Sequence, residues 1–524
     1  MEDPPGNTNL QTFTPAPPHP DELIQQTLDG GVSWFQIIQI LLVSSTRVFD
    51  GQQTFIPVFV EAIPEWHCKL KTGGAPCSSD TRDICRNDPS SWDWKAASAS
   101  SSIISEWNLQ CKNPILMGLG ASSFFAGCLL GGLLFPPLSD TKVGRRHILF
   151  ISSLSMSVAS LTTISATSIW SYSGIRFLTG LCRSSIGSCA IVLVTEKIGS
   201  KWKPAAVMVC YLCFSIGILT LPAIAYYASN HHNSSSWREL YKWTSIPGIA
   251  CNMIAYLLVA ESPEWLLSKG RGAEALVALK QLAPWIDDET TNYVSISAHN
   301  TATSTTSADI KTSFTNYFSS LRLLFGLKHN LRRIIPIIVL AFGIGLVYFG
   351  IPLGVGNLGF DTYVGTVLNA VIEIPAFVIA LYLTMRGGKE YYYSRRGSLA
   401  GFCMASGAMS VTCTFVPAGS GRLGVELGAF VMGCVACNVM AICTTQLFQV
   451  KVRNTAVGVM WEAMTLAGVL APVFVKLGKQ QANGFLSYGI FGIVIMVCGL
   501  FASMLPSEEV VTAGARATSS PSQL

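Results

Sequence analysis

Twelve apolar runs of about twenty residues each dominate this chain, and that is the length a helix needs to cross roughly 30 Å of hydrocarbon. They fall near residues 34–60, 114–138, 148–169, 172–196, 205–229 and 243–260, then 333–353, 362–385, 398–417, 423–447, 455–478 and 483–505. In lipid, a single segment satisfies its own backbone groups only as a helix. The expected fold is therefore an all-α membrane protein with twelve transmembrane helices. Composition agrees, because 12% of the 524 residues are charged, about half the share of an ordinary soluble domain.

A polar stretch divides the runs six and six. The chain then reads as a tail at 1–31, a six-helix bundle at 32–261 with a long loop at 61–113, a central loop at 262–331, a second six-helix bundle at 332–506 and a tail at 507–524. The Ser/Thr-rich middle of the central loop reads as a flexible connector. Charged loops repeat between the halves, D-T-K-V-G-R-R at 140–146 and R-G-G-K-E-Y-Y-Y-S-R-R at 386–396. Weak internal symmetry of this kind marks transporters, whose site lies between the halves near the bilayer midplane.

Basic residues gather in alternate loops: Lys142, Arg145 and Arg146; Lys197, Lys201 and Lys203; Lys269, Arg271, Arg332 and Arg333; Arg386, Lys389, Arg395 and Arg396. The positive-inside rule makes these loops and both tails cytoplasmic. The first residues, Met1 to Pro20, are Pro-rich and polar, unlike a cleavable signal. A formal charge of +5 spread over short loops reports topology and gives no basic face for nucleic acid.

Cys68, Cys77, Cys85 and Cys111 cluster in the loop at 61–113, which faces an oxidising space in this orientation, so two disulfides are expected there. Four cysteines allow three pairings, and spacing does not choose among them. The loop adds only His67 as a further ligand and has no close C-x-x-C pair, so no metal site is expected. An N-S-S sequon marks Asn233 in another outward loop as a glycosylation candidate. No metal cluster, nucleotide loop or nucleophile constellation stands out, which argues against an enzyme and against a cofactor.

The D-T-K-V-G-R-R loop, R-F-L-T-G at 176–180, E-S-P-E-W-L-L-S-K-G-R at 261–271 and V-R-N-T-A-V-G at 452–458 resemble the major facilitator superfamily. S-E-W-N-L-Q-C at 105–111 and E-I-P-A at 373–376 look like signatures of its organic-ion transporters. The stretch R-V-F-D-G-Q-Q-T-F-I-P-V-F at 47–59, with W-H-C at 66–68, is most similar to plant organic cation/carnitine transporters. The chain departs from the superfamily pattern at Pro136, Lys142, Lys203, Glu264 and Gln446. Thr465 stands where animal cation carriers of the family have Asp and anion or carnitine carriers have Arg.

The resemblance implies two bundles rocking about a midplane site, with a cytoplasmic gate built from Asp140, Gly144, Arg145 and Arg146. Asp140 would face the helix start near Arg453, and Arg176, Glu196, Glu261 and Arg271 would complete the charged ring. It also implies carnitine or other quaternary amines as substrates, with an aromatic pair before Gly350 at Tyr348 and Phe349.

Carrying a cation calls for carboxylates or aromatic faces at membrane depth, where a buried charge is costly enough to need a reason. Asp50 lies three residues after Arg47, so the two can pair on one helix face, or Asp50 can serve substrate or proton coupling. Glu373 precedes Pro375, whose ring frees a carbonyl that a protonated Glu could satisfy; the alternative is a cavity role. Glu462, three residues from Thr465, either supplies the anionic charge missing there, or sits in an interhelical pair or near the cytoplasmic end. Tyr348, Phe349 and Trp461 offer ring faces, set against ordinary packing.

The expected partners are a small organic cation or zwitterion, the bilayer, and protons as a coupling ion through Asp50, Glu373 or Glu462; a monomer suffices. Plasma membrane is the first expectation for its location, with the vacuolar membrane as the alternative. Competing readings are an organic anion or sugar transporter of the same fold, with Arg47 or Arg176 as anion partner, and a transport-inactive membrane sensor.

Overall fold

A computed structural model of the protein describes residues 20–64, 66–68, 84–86, 92–94, 101–135, 143–231, 237–286, 310–385, 391–448, 450–480 and 487–505. Its first six membrane helices are α1 Trp34–Phe55, α2 Leu119–Leu134, α3 Arg145–Thr162, α4 Ile169–Arg183 resuming as Ile186–Thr195, α5 Lys203–His231 and α6 Trp237–Leu258. The second six are α7 Lys328–Leu353, α8 Thr362–Met385, α9 Tyr391–Thr412, α10 Ser420–Leu447, α11 Val450–Gln480 and α12 Tyr488–Leu500. The two bundles meet along α2 against α11 and α5 against α8.

Seven of the described helices are long and apolar enough to cross a membrane by length and composition alone, and α2 and the α12 segment are shorter apolar ones. α1 shows why the rest fall short. It carries Gln36, Gln39, Arg47, Asp50, Gln52 and Gln53, all buried. Each would be costly in lipid without a partner, and the bundle supplies partners. Gln52 Nε2 donates to Thr220 Oγ1 at 3.0 Å, Gln53 accepts from Ser160 at 2.6 Å, and Gln39 Nε2 donates to the Leu258 carbonyl at 2.9 Å. α1 is thus an enclosed helix whose polar stripe is read by its neighbours.

Local sequence sets several helix starts. Ser33 caps α1 by accepting from Gln36 N at 3.1 Å while the Gln36 side chain accepts from Ser33 N at 2.8 Å, a reciprocal capping box. Ser168 and Ser171 begin α4 in the same manner. Close helix contact rests on small residues. A Cβ on Gly127 of α2 would collide with the Phe177 carbonyl of α4, and one on Gly180 with the Phe124 carbonyl. The two backbones therefore touch, as small residues allow in lipid.

The central stretch holds more structure than its composition suggested. Helices Pro263–Ser268, Gly272–Leu282 and Ile310–Gly326 lie within it, and Pro20–Asp29 precedes α1. The buried faces of Ile24 and Leu28 join Trp265, Leu266, Leu279 and Leu282 in a separate small core. Short amphipathic helices lack the long apolar run that reveals a span, so composition shows this stretch only as a loop with a flexible middle. Residues 287–309, with the Ser/Thr-rich segment, lie outside the described residues. In the loop at 61–113, β1 Trp66–Cys68 pairs antiparallel with β2 Trp92–Trp94.

Candidate functional site

The membrane-depth carboxylates singled out from the sequence sit in three different environments. Asp50 is fully buried, and both Arg47, one turn earlier, and Arg183 of α4 donate to it. Helical spacing anticipated the first pair. Arg183 went unread, although a lone cation inside an apolar run is itself a signal. Each Asp50 oxygen takes one guanidinium. Of the two readings open for Asp50, an ion pair and a substrate or coupling role, the structure shows the pair, enlarged by Arg183 to an ion triad within the first bundle.

Glu373 of α8 is 2% exposed. Tyr348 of α7 donates to its Oε1 at 2.6 Å, and Ser215 of α5 donates to its Oε2 at 2.6 Å. Because Ser215 belongs to the other bundle, this carboxyl group bridges the α5–α8 seam. Both oxygens accept hydroxyls, rather than Glu373 satisfying the carbonyl freed by Pro375. Arg47 lies within electrostatic reach, with its guanidinium 4.8 Å from the Phe214 ring centroid. Rings gather around the carboxyl: Tyr348 lies 5.2 Å from Phe349 and 6.1 Å from Phe430, and Tyr211 of α5 stacks on Phe377 of α8 at 5.1 Å. A buried carboxyl group with aromatic residues on the same helices suits an alkylammonium group.

Glu462 lies on another seam. It packs against Gly132 of α2, where a Cβ would collide with its carboxylate. Arg183 and Tyr317 of the helix Ile310–Gly326 are within electrostatic reach of it. Its Oε2 is buried and accepts no hydrogen bond among the described residues. Thr465 closes its hydroxyl on the Trp461 carbonyl at 2.9 Å, and Trp461 is half-buried beside Glu462. Phe349 meets Phe125 of α2 at 4.7 Å. The structure thus joins Tyr348, Phe349 and Glu373, and leaves Trp461, Glu462 and Thr465 on the α2–α11 side.

At the end of the bundles that carries the cysteine loop, Lys476 of α11 donates to the Glu61 carbonyl at 2.5 Å. Phe59 meets Tyr363 at 5.2 Å, and Tyr226 meets Tyr363 at 6.1 Å. These contacts join the two bundles. Arg176 belongs to this end, contrary to its expected place in the gate. It donates to the Gln53 carbonyl at 3.0 Å and covers Phe124 at 4.3 Å. Glu196 is about 30 Å of helix farther along α4, so one ring cannot hold both. Neither Glu61 nor Lys476 was singled out from sequence, since both sit at run ends where charges are ordinary.

The opposite end carries Arg145, Arg146, Glu196 and Glu261. Arg145 pairs with Glu196, and Glu261 accepts from Arg146 N at 3.1 Å beside Gly144, whose φ is +86°. A Cβ on Gly144 would come within 2.6 Å of Glu261 Oε2, so the positive φ and the approach both favour glycine. Arg146 also donates to the Tyr256 carbonyl at 2.5 Å, and buried Lys197 donates to Gln39 Oε1 at 2.7 Å. Arg271 stands at the N-cap of the helix Gly272–Leu282. It forms a bidentate pair with Glu274 of its own helix, at 2.8 and 2.6 Å, because the two lie one turn apart. Arg453 is half-buried at the start of α11. Asp140 lies outside the described residues.

Cys85 and Cys111 form a disulfide, and Cys68 is also disulfide-bonded. Cys77 and Asn233 lie outside the described residues. The S-E-W-N-L-Q-C segment is pinned to α6: Arg238 donates to both Glu106 oxygens at 2.6 and 2.8 Å, and Trp237 Nε1 donates at 2.7 Å. Burial works against the Glu106 carboxylate, but these donors outweigh it and hold its carboxyl below the usual value of 4.5.

Two six-helix bundles hinged on buried polar contacts at their seam, with charged clusters at one end and aromatic closure at the other, define a membrane transporter. The chain belongs to the Sugar (and other) transporter family of the major facilitator superfamily, whose model matches residues 87–508. It is 38% identical to organic cation/carnitine transporter 3 of Arabidopsis thaliana over 94% of this chain and 92% of that one. Its identity to organic cation/carnitine transporter 2 of the same plant is 37%, over 93% and 91%. Solute carrier family 22 member 15-like of Xenopus tropicalis is 28% identical over 88% of each chain. Among solved structures, the inward-open xylose transporter XylE from E. coli superposes with a TM-score of 0.63 at 16% identity, covering 90% of this chain and 96% of that one. The protein is an integral membrane transporter and not an enzyme.

Proposed function

We propose that the protein carries small organic cations or zwitterions, such as carnitine and quaternary amines, by alternating access. One observation carries the reading: Glu373 sits buried at the α5–α8 seam, accepting hydroxyls from Tyr348 and Ser215 of the two bundles, with Tyr211 within electrostatic reach. An ammonium group entering there gains a carboxylate and ring faces, worth about 0.5–2 kcal/mol per ring. The relatives named for organic cations and carnitine support the same substrate class.

In this reading Glu373, Tyr348 and Phe349 contact the substrate. Glu462 is a second titratable group on the α2–α11 seam, and Trp461 and Thr465 shape that seam. The charged clusters around Arg145, Glu196, Arg146 and Glu261 lie at the cytoplasmic end. The cysteine loop faces outward, and the closure there by Lys476 and Tyr363 belongs to an inward-facing state. Protons are the candidate coupling ion through Glu373 and Glu462, and the plasma membrane is the proposed location.

Uptake of radiolabelled carnitine and tetraethylammonium into proteoliposomes tests this. Saturable uptake that Glu373→Gln abolishes, with the variant still folded, is the expected result. Uptake of xylose or urate in place of both compounds would overturn the substrate class.

A further inference from the structure

Two turns at the end away from the cysteine loop carry the Arg145–Glu196 pair. Arg145 opens α3 just after Gly144, and Glu196 closes α4 shortly before Gly199. The helix Pro20–Asp29 touches the support of both. On one side Ile24 and Leu28, one turn apart and fully buried, share a small core with Trp265, Leu266 and Leu279. Trp265 in turn lies against the first turn, since a Cβ on Gly144 would come within 3.1 Å of its ring. On the other side Gly199 lies against the end of the helix. A Cβ there would fall 2.8 Å from the Leu28 carbonyl and collide with the Asp29 carboxylate. Gln25 joins the two sides: its amide nitrogen donates to Glu264 Oε1 beside Trp265, and its amide oxygen accepts from Ser200 at 3.2 Å.

A ten-residue helix does not hold its shape alone in water, where isolated helices below about 12–15 residues are marginal. This one forms because its apolar face is covered and its polar edge is bonded. Trp285 adds a further tie, its Nε1 donating to the Thr27 carbonyl at 2.9 Å. The dependence runs the other way as well: without the helix, Trp265 and the turn at Gly199 each lose a packing partner.

We propose that the helix Pro20–Asp29 is the brace of the gate. It holds the turns at Gly144 and Gly199 in the register where Arg145 meets Glu196, and so sets how fast this end of the carrier closes. Ile24, Gln25, Leu28 and Trp265 are positioning residues that act through the gate pair rather than on substrate. The inference rests on the transport reading, in which this end is the cytoplasmic gate.

The test compares full-length protein with Leu28→Asp, which detaches the helix, by carnitine and tetraethylammonium uptake into proteoliposomes and by amide hydrogen exchange. The expected result is a maximal rate lowered about fivefold at a KM within about twofold, because closure slows and the substrate site is untouched. Exchange should rise about tenfold over 145–150 and 263–282 and stay unchanged over 328–353. Leu28→Met, which keeps the volume, should behave as the unaltered chain. Should Leu28→Asp fail to fold, Gln25→Ala removes only the polar bridge and should move rate and exchange in the same direction by about twofold. A helix that exchanges freely in Leu28→Asp while 145–150 and 263–282 stay protected would overturn the brace, as would a raised KM at unchanged maximal rate. Absent uptake of both compounds by the unaltered chain would sink the substrate assignment instead, and the exchange comparison would still decide the brace.

Discussion

Lys476 of α11 reaches across the bundle seam to the backbone carbonyl of Glu61, which ends the first membrane helix segment, at 2.5 Å. A charged donor on a buried carbonyl is worth about 1.5–3 kcal/mol. Lys476→Met should therefore shift the population toward opening at this end by roughly tenfold or more. A cysteine introduced as Phe59→Cys, beside Tyr363, should react correspondingly faster with a membrane-impermeant maleimide. An unchanged labelling rate would mean that other contacts hold the closure.

The Asp50 triad should behave as a structural unit. Removing Arg183 leaves a buried carboxylate with only Arg47, and breaking a buried pair costs about 3–5 kcal/mol. Arg183→Leu should lower the unfolding temperature strongly, while Asp50→Asn with Arg183→Gln should recover part of the loss. Fluorescence-detected size exclusion after a temperature ramp measures both.

Tyr348 and Ser215 both donate to Glu373 but from different bundles, and their removal should separate kinetically. Tyr348→Phe weakens substrate contact and should raise KM by about tenfold, with little change in maximal rate. Ser215→Ala breaks a link across the moving seam and should chiefly alter maximal rate. Concentration-dependent carnitine uptake distinguishes the two, and identical effects on KM would argue against separate roles.

Glu106 gives the cysteine loop an acid-sensitive clasp. Its carboxyl is held below the ordinary 4.5, so above that value the clasp contributes fully. The contribution is lost as pH falls through the depressed folded value, where the carboxylate takes up its proton. Trp107 and Trp237 pack at 5.8 Å beside it, so their emission should change in that acid window. In Glu106→Gln the transition should vanish.

How much of this was legible follows from the kind of signal each residue leaves. Apolar runs of span length revealed most helix positions, including α1, whose Arg47–Asp50 pair its spacing foretold. Glu373 before Pro375 stood out as a charge in an otherwise apolar stretch. Arg183 carried the same mark but was passed over. Arg176 was misplaced because a motif gives a position in the chain and not a depth in the membrane; helix rise puts it at the opposite end from Glu196. Resemblance alone put Arg271 in the charged ring, and its pair with Glu274 rests on a helix that no long apolar run announces.

Sequence by itself determined that the chain lives in lipid as two sets of six helices, because every twenty-residue apolar run must bury its backbone in a helix and its side chains in hydrocarbon. Tertiary structure alone decided which buried groups meet across helices. Asp50 is claimed by Arg183, 133 positions away, and Glu373 by Ser215, 158 away. Such pairings depend on which faces of which helices pack together, and periodicity along one helix does not encode the rotation of its neighbour.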